Sequence, residues 1–172
     1  SFVVSGRLTC VRGVSDWATM QNIYGGTLLA LTVVTAIGCG GTPVRLHPDD
    51  PADNYIEVSP GLHRSGRPDA VGGVERLYTL GTATIVNLED DMSEVERESA
   101  QAAALGIRLI SSPLSGTSTP NDEQVNQLIA ILGDESLRPL LVHCKKGMDR
   151  TGVIVGLHRI FNETWRPQDA YD

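Results

Sequence analysis

The chain has 172 residues, 41% of them hydrophobic, and a formal net charge of -7. That is enough apolar material for a folded core, too little length for two full-sized domains, and too acidic a balance for a broad nucleic-acid surface. Three cysteines, Cys10, Cys39 and Cys144, are too few for a disulfide scaffold. Of the 14 basic residues only two are lysines, Lys145 and Lys146, and both follow Cys144 directly.

Residues 17–44 carry no charge, and Gly26 to Ile37 is an apolar run about as long as a signal-peptide core and short for a membrane span. It ends in Ala36-Ile37-Gly38-Cys39, which resembles the lipobox of bacterial lipoproteins. Residues 1–39 are therefore expected to be a signal segment. Cys39 would be the lipidation site and membrane tether, and the protein would sit in the bacterial cell envelope. No Lys or Arg lies between Met20 and the run, so an uncleaved anchor, or a core element in a cytoplasmic protein, is the alternative. Cys10 receives no role. Residues 40–54, rich in Gly, Pro and Asp, read as a tether, and 55–172 as the folded domain. The chain opens on Ser1 and closes within Trp165 to Asp172, which reads as the start of a helix, so the native protein is expected to continue.

Tyr55 to Val58 alternates like a strand, Ser59-Pro60-Gly61 is a turn, and Leu62 to Ser65 is a second strand. Asp69 to Leu80 has helical spacing and ends at Gly81; Thr82 to Leu88 is a β-branched buried strand. Ser93 and Glu96 pair as a capping box for a helix to Leu105, and Ile107 to Leu114 is another strand. Thr119-Pro120 reads as an N-cap with proline at the first helical position, for a helix to Leu132. Leu140 to His143 is a short apolar strand, and Val153 to Phe161 a helix. Alternating helices and strands predict an α/β fold: a central, mostly parallel sheet flanked by helices.

Between the last strand and helix lies His143-Cys144-Lys145-Lys146-Gly147-Met148-Asp149-Arg150-Thr151-Gly152. Such a loop can wrap one tetrahedral anion. Backbone N–H groups form a nest, the helix N-terminus points at the same place, and Arg150 offers a planar fork. In that field the Cys144 thiolate is favoured and becomes a nucleophile. The loop resembles the HCxxGxxRTG signature of the cysteine-based phosphatases, the protein-tyrosine and dual-specificity superfamily. Val58 to Pro68, the helix and strand around Leu80 to Leu88, and Trp165 to Ala170 are similar to compact bacterial members, so the likeness covers about 55–172.

The resemblance implies Cys144 as nucleophile, Arg150 as phosphate binder, His143 as a loop-positioning group that stabilises the thiolate, and Thr151 as a hydrogen-bond donor to the sulfur. Lys145, Lys146, Gly147 and Met148 would bind substrate through the loop. The general acid is open among Asp149 within the loop, Asp122 after the fourth strand, Asp90 or Asp91 after the third, and no acid at all. Two lysines at the loop suit a multiply phosphorylated ligand, or simply face solvent. Arg64 and Arg67 add to the rim or are structural. The expected activity is phosphomonoester hydrolysis without metal or cofactor, on a phosphorylated protein, lipid or small molecule. The alternatives are a catalytically silent phospho-ligand-binding module and a rhodanese-like sulfurtransferase.

Overall fold

The computed structural model describes residues 47–170, which belong to the compact unit Gly40–Asp172. The apolar run, Cys10 and Cys39 lie outside the described residues. The elements in order are β1 (Ile56–Ser59), β2 (Leu62–Ser65), α1 (Gly73–Thr79), β3 (Thr84–Asn87), α2 (Met92–Ala104), β4 (Arg108–Ser111), α3 (Asp122–Gly133), β5 (Leu140–His143) and α4 (Asp149–Phe161).

The five strands form one sheet in the order β1-β2-β5-β3-β4. β1 and β2 make an antiparallel hairpin, and β2, β5, β3 and β4 run parallel. The period of two in each strand sorts side chains onto opposite faces. Leu62, Val86, Leu140 and Val142 pack with Leu128 and Leu132 of α3 and Ile154 and Val155 of α4. Ile85 and Leu141 pack with Val74 and Leu77 of α1 and Ala102 of α2. The result is a mostly parallel α/β sheet covered on both faces, as the alternation of elements predicts. Among the described residues no helix is long and apolar enough to cross a membrane.

Several boundaries differ from the sequence reading. Asp91 takes the N-cap position of α2 without a side-chain capping bond, and Ser93 lies inside the first turn, its hydroxyl donating to the Asp91 carboxylate at 2.7 Å. α3 is capped by Asn121, not Thr119. Asn121 Oδ1 accepts from the Gln124 N–H and Gln124 Oε1 accepts from the Asn121 N–H, a reciprocal capping box. α4 starts four residues before Val153, so Arg150 and Thr151 lie in its first turn. Residues 167–170 form a turn, held by the Arg159 guanidinium, which donates to the Ala170 carbonyl and stacks 4.8 Å over the Trp165 ring.

The end of the expected tether is part of the domain. Pro51 and Ala52 are buried, and the carbonyls of Pro51 and Asp53 accept from the Asp69 and Gly66 N–H groups.

Candidate active site

β5 is buried along its whole length and is paired on both sides, so it delivers Cys144 to the middle of the sheet's carboxyl edge. Ser65 and Asn87 are the register partners of His143 on β2 and β3. The loops that leave these strands therefore converge on the cysteine, where ligand sites form in parallel α/β sheets. Cys144 is a free thiol, 3% exposed.

The loop after Cys144 is shaped by what its carbonyls bind. The Lys145 carbonyl accepts from the Arg67 N–H at 3.3 Å, and the Lys146 carbonyl from the Asn54 side-chain amide at 2.8 Å. The Gly147 carbonyl accepts from the Arg64 guanidinium. With three successive carbonyls tied to donors outside the loop, the N–H groups of the same peptides, on Lys146, Gly147 and Met148, face its interior. That is an anion nest. The first turn of α4, which has no capping side chain, adds its own N–H groups to the cradle. Gly147 makes the turn possible: its φ is +72°, and a Cβ there would stand 2.3 Å from the Ser65 backbone. Lys145 and Lys146 expose their side chains. Arg64 is a brace of the loop, and Arg67 is held by Glu89 and Glu94, so neither stands loose on the rim.

Arg150 is anchored by one nitrogen. Its Nη1 donates to the Leu88 carbonyl at 3.3 Å, the Leu114 carbonyl at 3.1 Å and the Asp90 carboxylate at 2.9 Å. These acceptors lie on the loops after β3 and β4. Fixing one corner of a planar guanidinium sets the orientation of its remaining N–H edge, which is the geometry bidentate phosphate binding needs.

A buried polar network that the sequence reading missed surrounds His143. Nε2 of His143 lies 3.1 Å from Glu98 Oε1, an ion-pair contact without hydrogen-bond geometry, and both side chains are buried. The other Glu98 oxygen accepts from Asn87 Nδ2 at 2.6 Å, and Asn87 Oδ1 accepts from the Glu89 N–H at 2.7 Å. The buried Glu89 carboxylate accepts from Arg67 Nε at 2.7 Å. Glu98 sits at a core-facing position of α2, in line with Val95 and Ala102. A carboxylate left unpaired there would cost about several kcal/mol. The signal was present in the sequence as a glutamate on the apolar stripe of an amphipathic helix. Thr151 is also buried, but its hydroxyl makes no hydrogen bond within the protein, so the expected bond to the sulfur is not formed here.

The carboxylates expected as acids separate. Asp149 is exposed and lines a cleft of about 370 Å³ together with Arg150, Val153 and the loop 114–120. It also borders a second cleft with Arg64 and Met148. Asp122, the first residue of α3, is exposed and is not among the residues lining either cleft. Asp90 is held below its ordinary carboxylate range by its own backbone N–H and by the Arg150 guanidinium, and Asp91 by the Ser93 hydroxyl. A carboxyl held ionised in this way is a poor proton donor at mildly acidic pH.

A buried cysteine at the base of an N–H cradle, an arginine on the following helix turn and a parallel α/β sheet behind them form the arrangement of the cysteine-based phosphatases of the dual-specificity type. The model of the family described as PTP-NADK, DSP-PTPase phosphatase fused to NAD+ kinase, matches residues 51–171, and the chain belongs to that family. It is 31% identical over 124 residues to the dual specificity protein phosphatase TpbA of Pseudomonas aeruginosa, covering 72% of this chain and 54% of the relative. Inositol diphosphatase DSP1 of Oryza sativa is 29% identical over 114 residues, covering 63% of this chain and 50% of that protein. The chain thus spans about half the length of these curated relatives. Among solved structures, P. aeruginosa TpbA in complex with phosphotyrosine matches with a TM-score of 0.58 at 30% identity, covering 68% of each chain. The catalytic core of the S. cerevisiae PP-IP phosphatase SIW14 shares the fold, with a TM-score of 0.60 at 23% identity over 70% of this chain and 75% of that one.

Proposed function

We propose that this protein hydrolyses phosphomonoesters through a cysteinyl-phosphate intermediate. The observation that carries the reading is the set of three outward-tied carbonyls after Cys144, which turns the loop's N–H groups toward a single anion above the thiol. The thiolate attacks phosphorus in line, the bond to the ester oxygen breaks, and the departing oxygen takes a proton from Asp149. In the second step Asp149 removes a proton from water, water attacks the phosphocysteine, and inorganic phosphate leaves with the thiolate restored. Arg150 holds two phosphoryl oxygens throughout. Thr151, whose buried hydroxyl has no partner within the protein, donates to the sulfur as it departs. The cleft beside Asp149 and Arg150 supports this division of labour.

The substrate class proposed is a multiply phosphorylated small molecule or lipid headgroup. The exposed side chains of Lys145 and Lys146 at the loop, in an otherwise acidic chain, support it. So does the likeness to proteins named inositol diphosphatases. Purified residues 40–172 are expected to hydrolyse p-nitrophenyl phosphate at mildly acidic pH, and Cys144→Ser to abolish this. Replacing both lysines by alanine is expected to reduce kcat/KM for an inositol polyphosphate about tenfold or more and to leave the small aryl ester largely unaffected. Binding of phosphate without turnover would identify a silent binding module instead, and sulfur transfer from thiosulfate to cyanide a sulfurtransferase. A phosphotyrosine peptide preferred over inositol polyphosphates would overturn the substrate class.

We also propose that Cys39 carries a lipid that tethers the domain to a bacterial envelope, on the strength of the apolar run and Ala36-Ile37-Gly38-Cys39. Palmitate labelling lost in Cys39→Ala is expected; an unlabelled full-length product would remove the tether.

A further inference from the structure

We propose that Glu98 is a positioning residue of the active-site loop, whose buried carboxylate holds His143 in the charged form that keeps the adjacent Cys144 ionised. The proposal rests on Cys144 being the nucleophile, and it concerns a residue far from the signature in sequence. Its basis is a closed circuit of contacts. The circuit starts at His143, immediately before the nucleophile, and runs through Glu98, Asn87 and Glu89 to Arg67. It returns through the Arg67 N–H to the carbonyl of Lys145, immediately after the nucleophile.

Charge accounting along the circuit singles out one pair. Glu89 and Glu94 are both taken by Arg67. Glu98 receives a neutral amide from Asn87 on one oxygen and meets His143 with the other. The register partners of His143 on β2 and β3, Ser65 and Asn87, are uncharged. Lys145 and Lys146 turn their side chains to solvent. Among these contacts, the one group able to carry the counter-charge of the buried Glu98 is the ring of His143. A positive ring one residue from Cys144 favours the thiolate alongside the Arg64 guanidinium, which also acts on Cys144, and Glu98 acts on the nucleophile only through that ring. The circuit also fixes the loop mechanically on both sides of the cysteine.

The test is the pH dependence of Cys144 alkylation by iodoacetamide in the full chain, read on the peptide carrying Cys144 so that Cys10 and Cys39 do not contribute. Glu98→Gln keeps the shape and removes the charge. It is expected to move the midpoint of the profile up by about one pH unit, which is about tenfold less thiolate at a fixed pH below it. In a His143→Gln background the same substitution is expected to add no further shift. An unchanged midpoint in folded Glu98→Gln, or an equal shift in both backgrounds, would overturn the proposal. Should Glu98→Gln not fold, nitrogen NMR of the wild-type chain decides: both ring nitrogens of His143 protonated at neutral pH is the expected result, and a neutral imidazole the opposing one. Alkylation needs no substrate. Wild-type protein that alkylates as expected but never turns over phosphoester would sink the phosphatase reading and leave the role of Glu98 standing.

Discussion

At the scale of single residues, division of labour among carboxylates decides the chemistry. Asp90 spends its charge on Arg150 and orients the guanidinium, while Asp149 opens onto the cleft beside it. A side chain that donates a proton to the leaving oxygen matters in proportion to how poor that leaving group is. Asp149→Asn is expected to lower kcat about 10²- to 10⁴-fold for an alkyl phosphate and about tenfold or less for p-nitrophenyl phosphate. Steady-state kinetics on the pair of substrates checks this, and equal losses on both would make Asp149 a loop-shaping residue only. The signature made Cys144 and Arg150 legible in the sequence because they lie in one contiguous stretch, with Asp149 there as one of several candidate acids. Glu98 was not, because its partner His143 is brought to it only by the pairing of β5 beside β3 and the packing of α2 on that face.

At the scale of elements, strand and helix periodicities carried most of what the sequence revealed. β2 and β5 fall where their apolar patterns place them. Helix starts were less legible because several polar residues compete for each cap, and the winner depends on geometry: Asn121 wins over Thr119 by the reciprocal bond with Gln124. The cradle's supports were the least legible, since Asn54 and Arg67 reach the loop across 92 and 78 positions of sequence. α3 contributes to the core without touching the loop's hydrogen bonds. Its Leu128 is fully buried between α4 and the sheet. Leu128→Ala is expected to cost about 2–5 kcal/mol of stability by denaturant unfolding, with kcat at low temperature nearly preserved. A large loss of kcat in the folded variant would mean that α3 packing sets the active-site geometry.

At the scale of the whole domain, two histidines away from the loop tie stability to pH. Burial lowers the value of His158 on α4 despite Glu163 at 3.3 Å, and burial lowers that of His63, stacked on Tyr55. A histidine that binds its proton more weakly when folded makes unfolding take up protons below about 6.5, the ordinary unfolded value. Stability is therefore expected to rise with pH from the lowered folded values up to about 6.5 and to gain nothing further from these groups above it. Thermal unfolding across that window checks the sign, and a His158→Gln variant with an equally steep profile would contradict the assignment. The domain itself, from Pro51 onward, exists to hold one loop: the sheet carries Cys144 to its edge, and neighbouring segments turn the loop's N–H groups inward. The most direct measurement is therefore of the covalent intermediate. Acid quenching of wild-type protein during turnover, followed by mass spectrometry of the peptide carrying Cys144, is expected to find phosphate on the sulfur, with no such adduct and no turnover in Cys144→Ser. Turnover that persists in Cys144→Ser, or a phosphoryl group found on any other residue, would contradict the mechanism.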